Sequence, residues 1–169
     1  MAIMDITNAP SWTPRKRVYA IWAAIVAVGF TGTQLYQDPN INGLWLVLSI
    51  VGFVSMYRLM PLSVPRMRSI YGVWVATVVF GLIISSLAFK IEFFYGIAPY
   101  LGGFWLMLMG AGFIGNGLVD SPSKHYYAMG ALQIAIGALC IVIPALVGVQ
   151  YVAAAVVGTL AMVWLLLFR

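Results

Sequence analysis

Six apolar stretches, each close to twenty residues long, occupy nearly the whole chain and constrain its fold more than any other feature. They cover residues 18–36, 42–60, 70–89, 99–119, 126–143 and 149–168, and most are separated by turn-like or proline-containing segments. A helix needs about 20 residues to cross the roughly 30 Å hydrocarbon core of a bilayer. The sequence therefore predicts an all-α polytopic membrane protein, a bundle of about six transmembrane helices.

Composition excludes the other broad classes of protein. The chain is 63% hydrophobic and 8% charged, whereas a soluble domain has roughly 25% charged residues. So few charges cannot cover the surface of a soluble globular enzyme, and a disordered chain would not be so apolar. The basic residues lie in short segments between the apolar stretches. The formal charge of +5 therefore reflects membrane topology, and we expect no nucleic-acid partner.

The placement of lysine and arginine favours six spans. With a cytoplasmic N-terminus, only Lys90 lies outside, and eight basic residues lie inside: Arg15, Lys16, Arg17, Arg58, Arg66, Arg68, Lys124 and Arg169. An alternative of five spans, in which the last two stretches are fused, gives seven against two and fits the positive-inside rule less well. We therefore expect a short polar cytoplasmic segment, 1–17, and one transmembrane domain, 18–169. Both termini would be cytoplasmic, and the membrane would be the plasma membrane.

An internal repeat at an offset of 60 residues suggests how the bundle is assembled. The segment Trp45-Leu46-Val47-Leu48 corresponds to Trp105-Leu106-Met107-Leu108, and Gly52-Phe53 corresponds to Gly112-Phe113. An offset that spans two helices preserves their orientation, so the repeats would be parallel helical hairpins. The sequence therefore predicts a protein built from hairpins.

Residues about 103–147 also resemble a known family. The glycine-punctuated helix that runs from Gly130 to Pro144, and the segment from Phe104 to Gly117 before it, are similar to helices of the HdeD-like small bacterial membrane proteins. This weak, partial resemblance implies about six spans made from hairpin repeats. It carries over no catalytic residue.

Small residues mark the faces on which helices are expected to pack. In lipid, small side chains let helix backbones approach closely, and packing then drives association. The predicted packing positions are Gly110, Gly112, Gly115 and Gly117 in the fourth stretch, with Ala154 and Gly158 in the sixth. The alternative interpretation of the fourth stretch is a flexible gate or a thin-walled pore helix.

Polar side chains within the stretches are few. Asn116 and Gln133 are predicted to hydrogen-bond between the fourth and fifth helices, with a substrate site as the alternative. Six further residues are expected at the cytoplasmic interface, in contact with lipid headgroups or a partner: Arg58, Arg66, Arg68, Asp120, Lys124 and His125. Asp120 could form a solvated ion pair with Lys124 or His125 there.

Aromatic and aliphatic side chains near the helix ends are expected to face lipid. Trp22, Trp45, Trp105 and Trp164 fall within about two turns of a predicted end, where indoles favour the headgroup region. Leu106 and Leu108 would face the acyl chains.

No residue set indicates a reaction. Cys140 and His125 are the single members of their residue types, and the sequence contains no zinc, phosphate-loop or haem motif. We therefore expect no catalytic residue, no metal and no cofactor. The sequence favours a non-enzymatic protein that acts through helix contacts, as an accessory or assembly subunit or a self-associating scaffold. Its partners would be the bilayer and other membrane subunits or copies of itself. The alternative is a small oligomeric channel or transporter for a neutral or weakly polar solute.

Overall fold

A computed structural model describes residues 12–36, 40–120 and 123–168 and contains six α-helices within these ranges. They are α1 (Pro14–Tyr36), α2 (Ile41–Leu59), α3 (Pro65–Lys90), α4 (Leu101–Val119), α5 (Lys124–Val142) and α6 (Gln150–Phe168). Two 3-10 helices, Glu92–Tyr100 and Pro144–Val149, precede α4 and α6. Each of the six spans is long and apolar enough to cross a membrane. The chain is an all-α multi-pass membrane bundle, as predicted.

The spans differ from their predicted limits chiefly at the ends that carry basic residues. α1 begins at Pro14 and α3 at Pro65, whereas the apolar stretches begin at residues 18 and 70. Proline fits the first turn of a helix because its missing N–H is not needed there. Arginine can extend its charged head out of the apolar region, so the helix continues past the last apolar residue.

The junction before α6 separates two helices. α5 ends at Val142, where Ile143 is extended and Pro144 starts the 3-10 turn of the next segment. A proline at this position removes a backbone donor and blocks a continuous helix. The five-span alternative is therefore wrong.

The basic end of the bundle is the end at which α1, α3 and α5 begin and α2, α4 and α6 finish. Arg15, Arg58, Arg66, Arg68 and Lys124 all lie there. Lys90 and Glu92 lie at the opposite end. Segments 1–11, 37–39, 121–122 and 169 fall outside the described residues, and with them most of the predicted N-terminal segment and Arg169.

Four tryptophans fill the centre of the bundle. Trp22, Trp45, Trp74 and Trp105 are each at most 9% exposed. Trp22 stacks on Trp74 with ring centroids 6.4 Å apart, and Trp45 stacks on Trp105 at 5.8 Å. The prediction that Trp22, Trp45 and Trp105 lie in the headgroup region is therefore wrong. A tryptophan near a helix end can equally turn inward when a neighbouring helix offers room for its ring.

Glycines provide that room. A glycine stands seven residues after each of these tryptophans, at positions 29, 52, 81 and 112. A Cβ on Gly29 would lie 2.5 Å from the Trp45 ring, and a Cβ on Gly52 would lie 2.7 Å from the Trp22 ring. Within the hairpin of α1 and α2, each helix thus seats the indole of the other. Because α1 and α2 are antiparallel, one seven-residue spacing serves both contacts.

The hairpin of α3 and α4 repeats this arrangement. A Cβ on Gly81 would overlap the Trp105 ring, and one on Gly112 would lie 3.2 Å from Trp74. One indole N–H in each hairpin is satisfied in the same way. Trp45 donates to the Thr33 hydroxyl and Trp105 donates to the Ser85 hydroxyl, both at 2.9 Å. Each acceptor lies four residues after the glycine against which the ring packs.

Candidate functional site

A row of four cavities runs between the two hairpins from the basic end to the opposite end. The basic-end cavity has a volume of about 20 Å³, and its lining includes Arg15, Tyr19, Asn116 and three methionines. It shares Trp22, Trp74 and Met162 with the tryptophan cavity, also of about 20 Å³, which all four central tryptophans line. Neighbouring cavities therefore have walls in common, and the row follows the bundle axis.

The row continues to the opposite end of the bundle. The tryptophan cavity shares Phe30, Trp45 and Trp105 with a third cavity of about 10 Å³. The third cavity shares Thr33 and Tyr151 with the outer pocket, whose volume is about 330 Å³. One water needs about 10–15 Å³. The three inner cavities are thus water-sized, whereas the outer pocket reaches the size of a small-molecule site.

Buried polar side chains concentrate along this row. Of the eight buried polar or charged side chains in the described part of the chain, all but Asp120 and Gln133 line one of the four cavities. The six that do so are Thr33, Ser49, Thr77, Ser85, Asn116 and Gln150. Helices α1, α2, α3, α4 and α6 contribute lining residues, and α5 contributes none. Most of the buried polar side chains therefore lie along the axis, although the walls of the basic-end and tryptophan cavities are almost wholly apolar.

A cluster of charged groups lies beside the row at the basic end. The Asp120 carboxylate has no exposed surface and accepts a hydrogen bond from Arg15 at 3.0 Å. Its other oxygen is ion-paired with Arg66. The Tyr126 hydroxyl donates to Asp120 at 3.3 Å and shares a further hydrogen bond with the Tyr19 hydroxyl. These side chains connect α1, α3, α4 and α5.

The charged cluster corrects the predicted role of Asp120. Its partners are Arg15 and Arg66, and the expected solvated pair with Lys124 or His125 is wrong. Arg66, predicted to contact lipid headgroups or a partner, instead reaches this buried carboxylate with its side chain 41% exposed. Arg15 and Asp120 are 105 residues apart in sequence, so local spacing could not have revealed the pair.

The remaining interface residues lie at the basic end, mostly exposed. Arg58 and Lys124 are exposed, and Arg68 donates to the Leu62 carbonyl at 3.4 Å. His125 accepts a hydrogen bond from the Trp164 indole at 3.1 Å. Lys124 and His125 thus begin α5 beside the last turns of α6.

The two buried amides do not bond to one another. Asn116 is 1% exposed and Gln133 is fully buried, and within the described part of the chain no side-chain nitrogen or oxygen of either residue has a hydrogen-bond partner. The predicted bond between the fourth and fifth helices is therefore wrong. Asn116 lines the basic-end cavity, whereas Gln133 lies on α5, away from all four cavities.

The glycines predicted to pack lie against three different elements. A Cβ on Gly110 would be 2.6 Å from the Gly130 carbonyl oxygen of α5, and one on Gly115 would be 3.0 Å from Val73 of α3. Gly112 likewise faces α3, at Trp74 and Thr77, and Gly117 faces Tyr127. In α6, Ala154 has no exposed surface, and a Cβ on Gly158 would lie 2.8 Å from Val26 of α1.

Sequence reasoning missed the packing of the central tryptophans on glycines and the role of Gln150. The seven-residue spacing from tryptophan to glycine occurs in four successive helices and would have indicated the tryptophan–glycine contacts. Gln150 donates to the Pro99 and Val147 carbonyls and accepts from the Gly103 N–H at 2.8 Å. It therefore joins both 3-10 helices to the start of α4, and no local pattern signals that role.

The arrangement offers hydrogen bonding and shape selection. Within residues 12–36, 40–120 and 123–168, no three histidine, cysteine or acidic side chains group as a metal site would require. Cys140 is buried and unbonded to another cysteine. Comparison of the chain with protein-family models, with curated proteins and with solved structures finds no match.

Proposed function

We propose that the chain conducts a small neutral molecule along the axis of its bundle. The observation that carries this proposal is the row of cavities, with buried polar side chains concentrated on its walls. The Thr33 and Ser85 hydroxyls on this line also accept from tryptophan indoles, whereas the Asn116 amide has no hydrogen-bond partner among the described residues. The proposal takes up the channel or transporter alternative from the sequence.

The lining restricts the solute to small, neutral molecules. Among the residues that the structure describes, no ionisable side chain other than tyrosine lines the tryptophan cavity, the third cavity or the outer pocket. An ion would lose its hydration there without a counter-charge, at high cost. The inner cavities are water-sized, so a larger solute requires lining side chains to move. Four methionines line the basic-end and tryptophan cavities: Met56, Met60, Met109 and Met162. Unbranched thioether side chains adapt readily to the shape of a bound molecule.

The hairpin repeats suit such a conduit. Transporters built from parallel repeats place their substrate sites at the repeat interface, near the midplane. Here the tryptophan cavity lies between the two hairpins. We propose that the basic end and both termini are cytoplasmic, because of the eight-to-one distribution of basic residues, and that the membrane is the plasma membrane.

Flux into liposomes tests this proposal. Purified protein is reconstituted, and uptake of water and formamide is followed by stopped-flow light scattering. Ser49 lines the tryptophan cavity, so Ser49→Val should fill it and lower the flux toward that of protein-free liposomes. Ser55, on the same helix, lines none of the cavities, and Ser55→Val is the matched control. Wild-type liposomes no more permeable than protein-free ones would refute the conduit.

A second candidate, a contact subunit of a membrane complex or a self-associating scaffold, is favoured by a different feature. An apolar groove of about 390 Å³ runs between α5 and α6, and its lining includes Leu132, Leu160, Trp164 and Leu167. A helix of another subunit could fill such a groove. Co-purification of stoichiometric membrane subunits in mild detergent would support this candidate.

A further inference from the structure

The Asn116 side chain is the polar group least accounted for on the axis. It lies one turn before Asp120 on α4, is 1% exposed, and forms part of the wall of the basic-end cavity. Its amide nitrogen and oxygen both lack a hydrogen-bond partner among the residues that the structure describes. A buried polar group without a hydrogen-bond partner destabilises the folded protein, so something else is expected to bond to it.

The basic-end cavity has the size and chemistry to supply that partner. Its volume of about 20 Å³ exceeds the roughly 10–15 Å³ that one water needs. Its walls are almost wholly apolar, and because Arg15 and Tyr19 bond to Asp120 and Tyr126, the Asn116 amide is the polar group left for a molecule there. The Arg15 guanidinium disfavours a cation there. An anion would have to give up its hydration among Trp22, Trp74 and the methionines.

We propose that the basic-end cavity is a binding site for one small neutral molecule that both donates and accepts hydrogen bonds, held by the Asn116 carboxamide. The carboxamide oxygen accepts from the bound molecule and the nitrogen donates to it. Water is the smallest member of this class. This inference rests on the proposed conducting function and names the class of molecule that one site along the axis binds.

Gln133 provides an internal control. It is a buried amide with unpartnered nitrogen and oxygen, like Asn116, but it lines none of the four cavities. Replacement of Gln133 by an apolar side chain of similar length removes an unsatisfied polar group and should raise the melting temperature. Replacement of Asn116 by leucine, which has the same branching, removes the groups that hold the bound molecule as well. Asn116→Leu should therefore leave the melting temperature unchanged or lower it.

Two measurements test the site. The first is an experimental structure of the wild-type protein in lipid nanodiscs, at a resolution that shows ordered water. Density within hydrogen-bonding distance of the Asn116 amide is expected, and an empty cavity would overturn the proposal. The second compares the thermal unfolding of Asn116→Leu and Gln133→Met in the same detergent. An equal rise in melting temperature for both variants would mean that no molecule is bound to the Asn116 side chain. This result too would overturn the proposal.

The outcomes separate this site from the conduit. Density at Asn116 without flux into liposomes would refute the conduit alone. Flux through a protein whose basic-end cavity is empty would refute the site alone. If Asn116→Leu does not accumulate in cells, the wild-type structure still decides the question.

Discussion

The closest helix contact in the bundle predicts that Gly110→Ala is strongly destabilising. Helices α4 and α5 approach through paired glycines, Gly110 with Gly130 and Gly103 with Gly137. A Cβ on Gly110 would lie 2.6 Å from the Gly130 carbonyl oxygen and 3.1 Å from the Ile134 backbone nitrogen. Both distances fall short of the 3.4 Å at which ordinary van der Waals contact begins. These neighbours are backbone atoms, so relief requires the two helices to separate.

The same substitution at two other glycines sets the scale. Overpacking costs typically 1–3 kcal/mol, and we expect Gly110→Ala near the upper limit because separation at Gly110 also loosens the second glycine pair. Gly112 faces side-chain atoms of Trp74 and Thr77 at 3.2 Å. These atoms can move slightly, so Gly112→Ala should cost about 1 kcal/mol. Gly72 has no atom within 4 Å of the position of a Cβ, and Gly72→Ala should stabilise α3 by about 0.4–1 kcal/mol.

Thermal unfolding in detergent, followed as loss of the monodisperse chromatographic peak, measures the ranking. The expected order of melting temperature is Gly72→Ala at or above wild type, then Gly112→Ala, then Gly110→Ala. Gly112→Leu should fall below Gly112→Ala, since the larger side chain meets the same neighbours. If Gly110→Ala unfolded at the temperature of Gly72→Ala, the close backbone approach of α4 and α5 would be disproved.

Three further predictions follow from burial and charge. Asp120→Asn should destabilise the protein by less than the 3–5 kcal/mol typical of a broken buried pair, because both arginine partners reach solvent. Glu92→Gln, at an exposed site, should leave the melting temperature unchanged. Equal melting temperatures of the two variants would contradict the buried pair. Leu106→Ala should cost about 2–5 kcal/mol, since Leu106 is fully buried, whereas Leu118→Ala should be nearly neutral at 72% exposure; similar losses would refute the described packing of α4. In a Cys140→Ser background, a cysteine at position 7 should react with a membrane-impermeant thiol reagent only after the cells are opened, and reaction in intact cells would reverse the proposed topology.

Span number and connectivity could be predicted from the sequence because they depend on local properties. The length of an apolar run decides whether a helix can cross a bilayer. A proline beyond the first turn removes a backbone hydrogen bond and clashes with the preceding turn, so Pro61 and Pro144 indicate where α2 and α5 end. The helix ends were less predictable, since Arg66 and Arg68 belong to α3 although they lie outside its apolar stretch.

The inward face of each helix was decided by tertiary structure alone. In a soluble protein, the apolar face of a helix identifies the core. In a membrane helix the lipid-facing side is apolar as well, so that signal is lost. Leu106 was therefore predicted to face lipid and is fully buried, and Trp22 was assigned to the headgroup region and lies in the core.

The candidate site depends on long-range contacts for the same reason. Asn116 and Gln133 are alike in sequence terms, both amides within apolar stretches, yet only Asn116 lines the axis. Asp120 contacts Arg15 because α1 begins beside the last turn of α4 at the basic end. The two residues are 105 positions apart along the chain. The sequence alone determined that these polar groups lie on membrane-spanning helices. Only the packing of those helices decided which groups share a cavity, because lipid and protein interior present the same apolar surroundings to a single helix.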